Sequence, residues 1–200
     1  MQRMPFDAMS DRDDEDLLAL YATGDAAAAR VLTQRLAGPV YAHAVRMLGG
    51  DRSEAEDVTQ DALLRLWRAA PSWRKGEAKV STWLYRVTAN LCIDRLRKRK
   101  DGPALDAIPE PEDGTPSVNA RMQTKARNDA LQDALMQLPD RQRQAVVLRH
   151  IEGLGNQEIA QIMDIGPRAV ESLTARGKKA LQDLLAGRRD ELGFEDEDAT

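Results

Sequence analysis

The sequence predicts an all-α protein: two small helical domains joined by a flexible acidic linker, the C-terminal one containing a helix-turn-helix. Three observations carry this. Leu, Ala, Arg, Glu and Asp dominate while alternating β-branched runs are nearly absent, which leaves helical periodicity as the main pattern. The stretch 101–120, DGPALDAIPEPEDGTPSVNA, holds four prolines and two glycines and cannot sustain a helix. A short helix, a three-residue turn and a longer basic helix are legible over Asn156–Ala180.

In the N-terminal part, Asp14 to Ala22 reads as a helix. Asp25 caps a second helix running through Leu36, and Pro39 to Leu48 reads as a separate third helix, stopped by Gly49-Gly50. Ser53 and Glu56 form a capping-box pair opening an amphipathic helix, with Val58, Ala62 and Leu66 beside Leu63, Trp67 and Ala70 at helical spacing. Pro71 and Gly76 mark a loop. Ser81 or Thr82 then starts a long helix through Arg99, with Leu84, Val87 and Leu91 inward.

The C-terminal part reads as four helices: about 121–137, one opened by Pro139 and ending at Gly153, Asn156 to Met163, and Pro167 to about Ala186. Pro suits the first helical position and Gly187 the residue just past the end. The organisation is an acidic extension at 1–13, a domain at 14–100, the linker at 101–120, a domain at 121–186 and an acidic tail at 187–200. Fully flexible, the linker spans roughly 25 Å on average, and roughly 65 Å when pulled out.

The net charge of −4 is unevenly spread. Residues 1–16 carry −4, 101–120 carry −5 and 187–200 carry −4, which leaves +9 on the other 150. A basic body bounded by acidic segments fits a nucleic-acid binder. No apolar run approaches the ~20 residues of a membrane span, and the N-terminus lacks a secretory core. The single Cys92 excludes an internal disulfide and fits a reducing compartment, so the expected location is cytoplasmic.

The function-bearing pattern is aromatic and basic. Of eight aromatic residues, Trp67, Trp73, Trp83 and Tyr85 fall within nineteen positions, and Arg95-Leu96-Arg97-Lys98-Arg99-Lys100 follows. Flat rings offer stacking faces to unpaired bases, and cations track phosphates. In the helix-turn-helix, Arg168, Glu171, Ser172, Ala175, Arg176 and Lys179 fall on or near the outward side, where Arg grips guanine, Glu accepts from cytosine, and Lys or Ser holds phosphate. Ile159, Ala160 and Met163 pack against Val170 and Leu173, and Gly177 permits close helix approach.

Beside each assignment stands a plainer one: a solvated helix face for the charges, and core packing for Trp83. His43 and His150 have no ligand spacing, Cys92 reads as a small buried apolar residue, and no nucleophile-base constellation or phosphate loop occurs. Neither catalysis nor a metal or other cofactor is expected.

The ordered set Ala55-Glu56-Asp57-Val58-Thr59-Gln60-Asp61, Ser81-Thr82-Trp83-Leu84-Tyr85-Arg86, Asn90-Leu91-Cys92-Ile93-Asp94-Arg95, Leu138-Pro139, Gln142-Arg143 and Glu158-Ile159-Ala160 resembles the sigma factors of the extracytoplasmic-function (ECF) group of the sigma-70 superfamily. The resemblance covers about 14–186. It implies a factor that binds core RNA polymerase, recognises −35 and −10 promoter elements and initiates transcription of a stress- or signal-responsive regulon.

By the same resemblance, Glu56, Asp57, Gln60, Asp61, Leu64 and Trp67 would meet the polymerase β′ clamp helices. Lys79, Ser81, Thr82, Trp83, Arg86, Asn90, Asp94 and Arg97 would open the −10 element and capture a flipped base. The helix-turn-helix would read the −35 element and sit on the β flap, the acidic linker would thread toward the active-site cleft or RNA exit path, and a separate anti-sigma factor would act as partner. The family pattern is departed from at Val80 (commonly Phe), at Gly155 (usually Ser or Thr), at Gly166-Pro167 (commonly Ser) and at Glu171 (frequently Lys). The alternative is a helix-turn-helix regulator that binds duplex DNA without promoter melting. The aromatic-basic segment discriminates, because such a regulator has no use for unpaired bases.

Overall fold

The computed structural model describes residue 9, residues 11–101 and residues 118–186. The acidic extension, most of the linker and the acidic tail lie outside the described residues, as do the side chains of Lys100 and of 118–125. The described residues form helices: α1 (Asp14–Ala22), α2 (Ala26–Met47), α3 (Arg52–Ala69), α4 (Val80–Asp101), α5 (Val118–Gln137), α6 (Asp140–Val146), α7 (Asn156–Met163) and α8 (Pro167–Ala186). A 3₁₀ turn at Ala70–Ser72 follows α3, and a wider π turn at Val147–Ile151 continues α6. None of the described helices is long and apolar enough to cross a membrane.

The first body packs α2 against α1, α3 and α4, and α3 against α4. Its core includes Leu17, Leu32, Met47, Val58, Leu66, Leu84 and Cys92, all fully buried. Asp13 and Asp25 cap α1 and α2 by accepting from the backbone N–H groups of Asp16 (2.7 Å) and Ala27 (2.9 Å).

Two local expectations are corrected. Residues 26–47 form one helix rather than two, with Pro39 inside it. Proline removes a single N–H, and Leu36 and Val40 on either side are buried in the core, so tertiary packing carries the helix through. The opening of α3 is also different. Asp51, not Ser53, is its N-cap, accepting from the Glu54 N–H at 3.0 Å. The shorter reach of a carboxylate one residue outside the helix wins over the Ser53–Glu56 pair.

The second body packs α8 against α5, α6 and α7. The predicted turn is present: Asp164 takes the left-handed conformation (φ 54°, ψ 52°) that stops α7. Gly155 caps α7 with no side-chain hydrogen bond, as expected of a residue without an acceptor. A Cβ on Gly177 would stand 2.6 Å from Val146 Cγ2 and 3.2 Å from the Gln142 carbonyl. Only glycine lets α8 lie this close to α6. The helix opened by Pro139 is not uniform to Gly153; it widens at Val147, where the Glu152 N–H bonds the Val147 carbonyl at 3.0 Å.

Candidate nucleic-acid and polymerase interface

On α3, Glu56, Asp57, Gln60 and Leu64 are exposed and Asp61 is half-buried. Leu64, 43% exposed, is the large apolar side chain most open to solvent among the described residues. An apolar residue flanked by acids on one helix face is what a partner helix can cover. The two aspartates are not loose: Arg95 on α4 reaches Glu54 at 2.7 Å, Asp61 at 3.4 Å and Asp57 at 3.6 Å. Trp67 is half-buried, with its ring 4.8 Å from that of Tyr21. It therefore closes the gap between α1 and α3 and offers a partner only one side.

On α4 the expected −10 residues align. At 100° per residue, Lys79, Trp83, Arg86, Asn90, Asp94 and Arg97 fall within roughly an 80° arc. All but the half-buried Trp83 are exposed. Ser81 is half-buried and off this arc. Thr82 is 4% exposed and is a correction: buried this deeply it supports the start of α4 from inside and has no surface for DNA. The Trp83 ring meets Trp73 edge-to-face at 5.8 Å and packs on the first core. Those contacts fix its orientation while leaving part of the ring accessible. Val80, where the family pattern has an aromatic, is buried.

The basic run is divided by its environment. Arg99 pairs with Asp51, and Arg95 is taken up by the acids of α3. Arg97 and Lys98 remain exposed. The sequence run of five cations is thus part DNA-facing and part brace between helices.

On α8, Arg168, Glu171, Ser172, Ala175, Arg176 and Lys179 are all exposed. At helical spacing they occupy a single face, roughly 140° wide. Asn156 at the start of α7 donates to Glu171 at 3.3 Å, and the Arg176 Nε donates to the Ser172 carbonyl at 3.2 Å. The buried side of α8, with Val170 at 0% and Leu181 at 9% exposure, holds this face outward.

Three buried titratable groups lie where the bodies meet. His43 is fully buried, and desolvation, assisted by the Arg46 charge, lowers its pKa to about 3. It is neutral at neutral pH. Burial, then the Glu152 charge and hydrogen bond, push the Tyr85 phenol well up. Burial pushes the Cys92 thiol up to about 12, which makes it unreactive as a thiolate nucleophile. Among the described residues no group of His, Cys, Asp or Glu could hold a metal ion. Sequence reading gave no signal for Arg95, His43 or Glu152, because each matters through a residue distant in the chain.

These features define a two-body helical protein with one helix face suited to opened DNA and another suited to duplex DNA. Comparison with known proteins agrees. Residues 32–101 match the family model for sigma-70 region 2, and residues 128–181 match that for sigma-70 region 4. The ECF RNA polymerase sigma factor SigM of Mycobacterium tuberculosis is 34% identical over 180 residues, 90% of this chain and 88% of that protein. The ECF sigma factor SigW of Bacillus subtilis is 35% identical over 157 residues, 73% of this chain and 82% of its own. Among solved structures, CnrH in complex with the cytosolic domain of CnrY superposes with a TM-score of 0.66 at 26% identity, covering 87% of this chain and 97% of CnrH. The fold is also shared by RpoE from Bartonella quintana, in complex with the anti-sigma factor NepR (TM-score 0.61, 22% identity, 77% and 94% covered).

The chain belongs to the ECF sigma factors of the sigma-70 superfamily. It is a promoter-recognising initiation factor that works with core RNA polymerase, and the family is not one of enzymes. The region 2 match removes the ground for a regulator that binds duplex DNA without melting it.

Proposed function

We propose that residues 14–100 dock on polymerase and melt the −10 element, and that residues 121–186 read the −35 element as duplex. Glu56, Asp57, Gln60, Asp61 and Leu64 supply the polymerase contact, with Trp67 supporting it from behind. Lys79, Arg86, Asn90, Asp94 and Arg97 contact the opened −10 strand, and Trp83 shapes the base pocket. Arg168, Glu171, Ser172, Ala175, Arg176 and Lys179 meet the −35 duplex. The observation that carries this is the alignment of the α4 residues on one accessible face of the helix, joined through Arg95 to the acidic face of α3.

Melting needs no hydrolysis. Free energy from captured bases and polymerase contacts offsets unstacking, at about 1–3 kcal/mol per stacked base. The protein itself performs no catalysis and acts in the cytoplasm, where its polymerase is. The linker (101–120) approaches the active-site cleft or RNA exit path, and the second body also rests on the β flap. A separately encoded anti-sigma factor is its inhibitory partner; the superposition on CnrH, solved with the cytosolic domain of CnrY, supports that partner class.

The test is run-off transcription from a candidate promoter with purified core polymerase, with and without this protein. Transcription that depends on the protein is expected. Failure to associate with core polymerase would overturn the reading. Trp83→Ala and Asn90→Ala should reduce permanganate reactivity of unpaired thymines while leaving −35 duplex binding intact.

A further inference from the structure

We propose that the first body carries an intramolecular docking surface for the helix-turn-helix body, centred on Tyr85, His43 and Arg46, and that Glu152 latches the two together in an off-promoter state. The contact geometry stands by itself; only its consequence for DNA rests on the promoter reading above.

Tyr85 belongs to α4 but is buried in the core of the other body. It packs with Leu148, Ile159, Ile162 and Val170 there and is only 9% exposed. Its hydroxyl donates to Glu152 Oε2 at 3.2 Å. The other carboxylate oxygen of Glu152 lies 3.5 Å from Arg46 Nη1 and 3.9 Å from His43 Nδ1. The His43 ring meets Tyr85 edge-to-face at 5.2 Å. Glu152 directly follows the π turn at Val147–Ile151. Such turns re-aim a helix end and recur at functional sites. A few residues away, Gln132 of α5 donates to the Arg46 carbonyl at 2.8 Å, extending the same junction.

Around this centre the promoter-reading cations are occupied. Lys79 pairs with Glu158 at 2.9 Å and Arg86 with Asp164 at 3.3 Å, both acids lying on the helix-turn-helix. Elements at −10 and −35 lie about 25 base pairs apart, which is roughly 85 Å of duplex at 3.4 Å per pair. With α7 in contact with α4, a single molecule in this form cannot touch both. Promoter binding therefore requires the junction to part.

The junction is made to be reversible. Both ring nitrogens of His43 and Glu152 Oε1 are buried without a hydrogen-bond partner. Each loses hydration on closing and recovers it on opening. The two flanking ion pairs are largely solvent-exposed, so they contribute little and weaken with salt. Apolar insertion of Tyr85 favours closure, and the unmet polar groups limit it.

The test uses the full chain with dyes at Arg30→Cys and Asp183→Cys, both exposed positions outside the proposed contact faces. Buried Cys92 is left in place. A single short inter-dye distance is expected. Tyr85→Ala and Glu152→Arg should each shift most molecules to a longer one and tighten binding to an isolated −35 duplex about tenfold, since affinity scales with the open fraction. Adding Arg46→Glu to Glu152→Arg should restore the short distance, which separates latch loss from misfolding.

Long distances in the unmodified chain, or short ones with duplex affinity unchanged in both variants, would overturn the latch. Energy transfer that appears only between molecules and rises with concentration would assign the surface to a second copy, also overturning it. Failure to bind core polymerase would sink the promoter reading while leaving the distance result standing.

Discussion

Arg95 of α4 holds Glu54 of α3 at 2.7 Å and, through its second terminal nitrogen, Asp61 at 3.4 Å. The helix proposed to meet polymerase is thereby braced on the helix proposed to hold the opened strand. A shift of one is transmitted to the other.

Replacing that brace is predicted to uncouple the two tasks. Because these pairs are partly exposed, Arg95→Ala should cost only about 0.5–1 kcal/mol in denaturant unfolding. Core polymerase should still bind, because the α3 face is intact. Open-complex formation should fall by more than the stability loss explains, measured as permanganate reactivity at saturating protein. Equal losses in polymerase binding and melting would remove the coupling role.

Gly177→Ala is predicted to harm the second body by overpacking. The new methyl would collide with Val146 Cγ2 and crowd the backbone at Gln142. The expected cost is about 1–3 kcal/mol, read as a lower urea midpoint. The double variant Gly177→Ala with Val146→Ala should recover part of it, because the side-chain collision is removed while the backbone crowding stays.

His43 predicts a pH dependence whose sign follows from its burial. Its folded pKa of about 3 is below the 6.5 of the exposed ring. The unfolded chain therefore binds the extra proton, and stability is fully present above pH 6.5 and declines as pH falls toward 3. The slope approaches about 1.4 kcal/mol per pH unit at most. Burial raises the Glu152 carboxyl, an opposite contribution that favours the folded form near its own titration at more acid pH. The window from about pH 6.5 to 5.5 is thus the cleanest. His43→Phe should flatten the unfolding slope there; an unchanged slope would show that another group titrates.

The two DNA faces are predicted to differ in salt response. Lys179→Ala on α8 should reduce the slope of log affinity against log salt for a −35 duplex by about one phosphate contact. Arg168→Ala should relax discrimination at one base position, with a loss of about 1–3 kcal/mol toward the preferred base. A change in slope alone for Arg168→Ala would make it a phosphate contact.

Much of the fold is written in local patterning. Helix starts at Asp14, Asn156 and Pro167 follow from caps and proline, and the turn at Asp164-Ile165-Gly166 from its composition. The outward faces of α4 and α8 follow from helical periodicity alone. Errors fell where tertiary packing overrides a local rule. Pro39 stays inside α2 because the core holds Leu36 and Val40, and Thr82 is buried although its motif sits at a surface.

By itself, the sequence determined the helical class, the division at the linker, the family and the residues of both promoter-facing surfaces. All of these depend on the spacing of neighbours along one chain segment. Only the tertiary structure decided which cations are spent internally, as Arg95 and Arg99 are, and which partner each distant side chain meets. Tyr85, in the first body, enters the core of the second, and Glu152 meets Arg46 and His43 across more than a hundred positions. Such pairings depend on how whole helices pack, and no local period along the chain encodes them.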